Sequence, residues 1–428
     1  MSRLATGEWL TRERVTAVAT ASAIGGAVLL FGLLASARGT VDAFGRPLGT
    51  DFSVFWNAGQ LANGGHPLSA WNPDLLNAAA RATHGPGVPA SAWLYPPVFM
   101  FVASALARLP YLPALFAWQL LSLLLAAAVL SAVLKDRRAV LVALASPLSA
   151  LVLGQGQNAF LTMALLGFGL ILLDRKPLLA GACLGALVYK PQLALMLAPM
   201  LLFGRHWRPI AAAAFTAALL VALSALAWGT ESWRAFFASL HFGRTFMEQG
   251  MVPFWKSAGL FAMARRWGAD VHLAYAVQAM GALAGLWLVW RLRVAAPLLR
   301  NAGTCAAIAL STPYLLDYDM TVVGLGAAFL YRGAANDGFR DHERTALALI
   351  WVAPWFARPA AEYLTLPLGP IATALLAVMA VQRASSWHRH SAVDVEGLPG
   401  DVPGLAASEV DARGADVLAA AHLPQRNA

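Results

Sequence analysis

Five polar stretches interrupt an otherwise apolar chain, and their residue types suggest what each could do. The first is Asp51-Phe52-Ser53-Val54-Phe55-Trp56-Asn57-Ala58-Gly59-Gln60-Leu61, which sets a carboxylate at the head of a short amphipathic helix. Phe52, Phe55, Trp56 and Leu61 recur at helical spacing on an apolar side; Asn57 and Gln60 lie off it, and Asn57 is a candidate binding residue. An aspartate at this position serves equally well as a helix N-cap, so a structural and a chemical role both stand. The second stretch, Gly154-Gln155-Gly156-Gln157-Asn158, offers three amides between two apolar runs, either as a self-satisfied tight turn or as neutral partners for sugar hydroxyls.

The third, Val188-Tyr189-Lys190-Pro191-Gln192, isolates one lysine that either snorkels to an interface or meets a phosphate oxygen as a point charge. Gln192 beside it is a further candidate ligand. The fourth places His241 and Arg244 one helical turn apart, with Glu231, Arg234 and Glu248 close enough in sequence to form surface pairs. The fifth, Ser311 to Asp319, puts Tyr314, Asp317, Tyr318 and Asp319 at the end of an apolar run. Asp317 and Asp319 are two apart and do not share a helix face. This favours one inward acid over a carboxylate dyad, with a helix-terminal cap and interfacial tyrosines as the structural alternative; Asp319 and Tyr318 are the candidates. No phosphate-binding glycine loop, His-Glu-x-x-His pattern or His/Cys cluster occurs, so no metal site is expected. Cys183 and Cys305 are isolated in apolar segments.

The elements that must position these residues are set by composition. Apolar residues make up 59% of the 428 positions and charged residues 12%, with a mean hydropathy of +0.61. Soluble domains carry about a quarter charged residues, so the chain reads as an integral membrane protein, an all-α polytopic helical bundle. The net charge of +9 resides in short loops between apolar runs and not on a face interleaved with aromatics, which excludes nucleic acid as a partner and leaves the lipid bilayer.

Arg12 and Arg14 put the N-terminus inside, ahead of an uncleaved first span from about 15 to 37. The basic loops at 135–138, 174–176, 205–208, 291–293, 332–344 and from 383 onward join them there. The outer set is then 38–95, 154–158, 189–192, 229–256, 311–319 and 357–364. About twelve crossings result, with both termini inside. The proline-bracketed segment after Tyr95-Pro96-Pro97 is read as a half-helix or re-entrant segment. Residues 1–383 form the membrane domain and 384–428, polar and rich in Gly, Pro, Asp and Ala, a disordered cytoplasmic tail.

Taken in order, these residues resemble glycosyltransferase family 87, membrane enzymes of the GT-C superfamily. The likeness rests on Asp51-Phe52-x-x-Phe55-Trp56-x-Ala58-Gly59, Gly65-x-Pro67-Leu68 and Tyr95-Pro96-Pro97. It continues through Gly156-Gln157-Asn158, Gly181-x-x-x-Gly185, Lys190-Pro191-Gln192 and Gly204-x-x-Trp207-Arg208. The resemblance implies a polyprenyl-phosphate-linked sugar donor, mannose-like, a glycolipid or glycan acceptor, no other cofactor and inversion at the anomeric carbon. It implies a bacterial inner-membrane enzyme acting on the periplasmic side, with Asp51 orienting or deprotonating the acceptor hydroxyl. Lys190 or Arg244 would then meet the departing phosphate, and Tyr95, Gln157 and Asn158 the sugar or head group.

Actinobacterial members of the family commonly carry a histidine pair where this chain has Tyr318-Asp319, which leaves Asp319, His241 or neither in that role. A glycolipid transporter or flippase is the competing expectation. It would place charged or broken helices near mid-membrane, whereas the polar groups here concentrate on one side.

Overall fold

The computed structural model describes residues 2–396. Its regular elements there are all helical, with only isolated β-bridges between extended stretches. Helix α1 (Arg12–Ala35) starts where Thr11 accepts a bond from the Arg14 amide. Two helices fill the first long loop: α2 (Thr50–Asn63) and α3 (Pro73–His84), the latter capped by Asn72 with Pro73 at its first position. The bundle continues with α4 (Met100–Leu106), α5 (Tyr111–Leu134), α6 (Arg137–Leu144), α7 (Pro147–Gln155), α8 (Ala159–Leu172) and α9 (Pro177–Gly185). Then come α10 (Trp207–Trp228), α11 (Glu231–Glu248), α12 (Leu260–Arg266), α13 (Val271–Leu292), α14 (Pro297–Ser311), α15 (Thr321–Asp337), α16 (Glu343–Leu364) and α17 (Leu368–Glu396).

Five of these are long and apolar enough to cross a membrane: α1, α5, α10, α13 and α17 through Ser385. A sixth crossing is made if α6 and α7, bent by 55°, act as one. Four shorter apolar stretches, Pro97–Leu106, Ala159–Leu172, Pro177–Tyr189 and Pro191–Phe203, are too short to span straight. Fewer helices than the expected twelve therefore have spanning length. Proline is one reason: Pro97, Pro147, Pro177 and Pro191 each start a new short helix and cannot continue an old one. The expected disordered tail begins inside α17, which stays helical to Glu396; the rest of that tail, 397–428, lies outside the described residues.

Burial separates the interior from the lipid-facing rim. Nearly every residue of α14 is buried, so it is the central staff of the bundle. By contrast α10 buries only Pro209 and Ser224 and exposes Phe215, Leu219, Leu223 and Leu226, the surface expected of a helix against acyl chains. Helix α2 lies sandwiched on most sides: Phe52 and Phe55 face one layer, and Asn57 is buried on another against α3.

Its approach to α4 is backbone on backbone, because a methyl at Gly59 would run into the Ala103 carbonyl. Gly59→Ala should therefore loosen α2 from α4 and destabilise the fold by about 1–3 kcal/mol. Thermal unfolding in detergent would read this, and an unchanged midpoint would refute the contact.

Two polar ends result. At one, the expected inner loops meet each other: Arg300 pairs with Asp174 at 2.7 Å, and the buried Arg383 pairs with Glu343 at 2.6 Å. At the other, the expected outer turns converge. Thr312 donates to the Gln192 carbonyl, Ala258 N–H donates to the Leu315 carbonyl, and Arg266 donates to the carbonyls of Ala361 and Glu362.

Candidate active site

Asp51 is the second residue of α2, and its carboxylate does not cap that helix. Gly49, in the left-handed region at φ 67°, makes the turn into α2 with no side-chain cap bond. Asp51 Oδ2 instead accepts from Gln157 Nε2 at 2.9 Å. The capping role left open by the sequence thus gives way to a long-range contact. Gln157 is presented by a sharp turn at the end of α7, where Gly156 sits at φ 63°. A Cβ there would come within 2.6 Å of Phe52 Cβ, so the turn and the start of α2 fit only as glycine against phenylalanine.

Gln157 passes the contact on. Its Oε1 accepts from the Asn158 N–H at 2.7 Å and from the Tyr95 hydroxyl at 3.4 Å. Tyr95 is fixed among Phe55, Trp93 and Phe99, with ring centroids at 5.3, 5.3 and 4.8 Å. Burial holds its hydroxyl well above the ordinary phenol pKa, so it remains a donor. The Asn158 side chain, close to that hydroxyl, is fully buried, and neither amide atom has a well-formed hydrogen bond among the described residues. Such a group is costly to keep unless something else uses it.

Asp51 is recessed but still partly accessible. Its pKa is raised above the usual carboxylate range, first by desolvation. The Gln157 bond and the charges of Lys256 and Lys190 pull the other way, and Asp317 adds to the rise.

Two ion pairs flank this acid. Lys190 Nζ lies 2.8 Å from Asp319 Oδ1, with both side chains almost wholly buried, and 5.3 Å over the Tyr318 ring. Asp319 Oδ2 also accepts from the Leu316 amide at 3.3 Å. Arg358 Nε lies 2.5 Å from Asp317 Oδ2, and its guanidinium sits 5.9 Å over the Trp255 ring. The expectation of a single inward acid is corrected here. The segment Asp317–Met320 is a 3-10 turn, and it buries both carboxylates by giving each its own cation.

The structure therefore brings together Asp51, Tyr95, Gln157, Asn158, Lys190, Tyr318 and Asp319. It does not bring in the other expected residues. Asn57 is occupied with α3: its amide nitrogen donates to the Ser53 carbonyl at 2.8 Å, and its oxygen accepts from Thr83 at 2.9 Å. Gln155 reaches only its own helix, at Leu151 O. Gln192 contributes its backbone carbonyl to Thr312. His241 is exposed on α11, and Arg244 beside it is engaged by Glu248 at 2.7 Å and lies over Tyr275. Helical spacing put those two on a solvated face.

Two residues in or beside the site escaped the sequence reading, Arg358 and Lys256, and Asp317 was passed over there in favour of Asp319. A lone lysine in an outer loop was the signal that singled out Lys190, and Lys256 carries the same one. Among the described residues no three His, Cys, Asp or Glu side chains converge as a metal site.

The family model of glycosyltransferase family 87 matches residues 93–316, just over half of the chain. The chain belongs to glycosyltransferase family 87. No curated protein and no solved structure matches it. The matched stretch of this glycosyltransferase holds Tyr95, Gln157, Asn158, Lys190 and Lys256, and Asp51 and Asp319 lie outside it, tied in by the bonds to Gln157 and Lys190. It is a multi-pass membrane enzyme that moves a glycosyl group.

Proposed function

We propose that this enzyme transfers a mannose-like hexose from a polyprenyl-phosphate carrier to a hydroxyl of a glycolipid or glycan, with inversion, at the periplasmic face of a bacterial inner membrane. The observation that carries this reading is the state of Asp51. It is the one carboxylate of the cluster without an ion-pair partner, it is desolvated and it is still reachable. Desolvation raises its basicity, the property a general base needs.

Asp51 accepts the proton of the acceptor hydroxyl while that oxygen attacks the anomeric carbon. The bond from that carbon to the phosphate oxygen breaks, and the electron pair leaves with polyprenyl phosphate. Gln157 holds the carboxylate in place, and Tyr95 and Asn158 supply a phenol donor and an amide donor and acceptor for sugar hydroxyls.

A lipid-linked donor suits a site built among membrane helices, and a donor outside the cytoplasm fits the convergence of the non-basic turns on Asp51. The short apolar helices, counted as crossings, would raise the total towards twelve. Proteoliposomes holding the enzyme, a polyprenyl-phosphate hexose and an acceptor glycolipid test the reading. Product with an inverted anomeric centre is expected; movement of labelled lipid across the bilayer with no product would sink it.

A further inference from the structure

The charges around Asp51 do not all pair. Lys190 is taken by Asp319 and Arg358 by Asp317, both at ion-pair distance. The remaining cation, Lys256, has no ion pair or side-chain hydrogen bond among the described residues. It is half-buried, and it stands too far from Asp51 to bond but near enough for its charge to be felt there. The backbone that follows it is held by the neighbouring turn.

Lys256 ends the 3-10 turn Phe254–Lys256, and the next two residues are stitched to the turn that carries Asp317 and Asp319. Ser257 pairs with Leu316 in a β-bridge, Ser257 Oγ donates to the Leu315 carbonyl at 2.9 Å, and the Ala258 N–H donates to the same oxygen at 2.8 Å. Trp255, one residue earlier, packs under Arg358.

We infer that Lys256 is the anion-binding residue of the site and takes the phosphate of the lipid-linked donor, in place of Lys190 or Arg244. This rests on the donor reading given above. In a single displacement the base and the leaving group lie on opposite sides of the anomeric carbon, so the groups serving them must face one pocket without bonding each other. Asp51 and Lys256 lie near enough for the lysine's charge to reach the carboxylate, and they form no bond to each other.

Lys190 does not, because drawing it onto a substrate would strand Asp319 as a buried charge. Arg244 is engaged by Glu248 on an exposed helix. As the bond from the anomeric carbon to oxygen breaks, the charge gained by the phosphate oxygen falls beside an ammonium that no carboxylate has neutralised.

The test uses the full chain in phosphatidylcholine nanodiscs, with farnesyl phosphate and farnesol as probes and tryptophan fluorescence as readout, since Trp255 adjoins the site. The wild type should bind farnesyl phosphate at least about tenfold more tightly than farnesol. Lys256→Gln should erase that preference while still binding farnesol, Lys256→Met should do the same if Gln disturbs the turn, and Asp51→Asn should keep it. A preference that survives loss of Lys256 overturns the assignment and leaves the donor reading standing. No preference in the wild type overturns both.

Discussion

Asp51→Asn should lower sugar transfer by about 10²–10⁴-fold, the range a positioned general base supplies. The protein should remain folded, because an asparagine oxygen can accept the same Gln157 bond that the carboxylate accepts at 2.9 Å. Stability should even rise slightly. Burial lifts the folded pKa of Asp51 above its ordinary 3.8, so ionising it in the folded chain is unfavourable. Stability contributed by the protonated form is present below 3.8 and is lost as pH climbs through the raised value; asparagine has no such loss.

The same shift sets the acid limb of activity. A base must be ionised to work, so wild-type transfer should fail on acidification at a higher pH than an exposed carboxylate would dictate. Rates measured across pH, with unfolding followed in parallel, check both statements. Transfer by Asp51→Asn within tenfold of wild type would remove the assigned role.

The second large effect concerns Lys190 and Asp319. Their side chains are 3% and 4% exposed, and breaking a pair so buried leaves one charge without compensation. Lys190→Met or Asp319→Leu alone should destabilise the enzyme by about 3–5 kcal/mol, and the double variant should recover most of it. Activity separates scaffold from chemistry. If the pair only holds the turn Asp317–Met320 against Pro191–Phe203, the double variant regains transfer along with stability. Recovered stability with transfer still missing would mean that one of the two charges acts on substrate. A single variant that melts with the wild type would show that the pair is not buried as described.

Much of the site could be read from the chain because the background is apolar. Against long runs of Leu, Ala and Val, a lone Lys190 or the turn Gly154 to Asn158 stands out, and burying polar groups without use is costly. Pairing was harder to see. That Asp317 takes Arg358, and that Lys256 is left over, depends on a 3-10 turn and a β-bridge that have no signature in hydropathy.

Spacing also misled in two places. His241 and Arg244 share a face, but periodicity does not say whether that face meets a cavity or water; here it meets water. Asn57 lies off the apolar side of α2, yet that side is covered by α3, so its amide serves packing. The number of spans suffered from the same limit, since hydropathy marks apolar segments but not which of them a proline has divided.

The long-range bond between Lys190 and Asp319 has a consequence for biogenesis. The two residues are 129 positions apart. A ribosome working at about 5–20 residues per second makes the aspartate on the order of ten seconds after the lysine. During that interval the nascent lysine must wait without its counterion. The candidate site therefore comes together only when the C-terminal third of the polypeptide emerges.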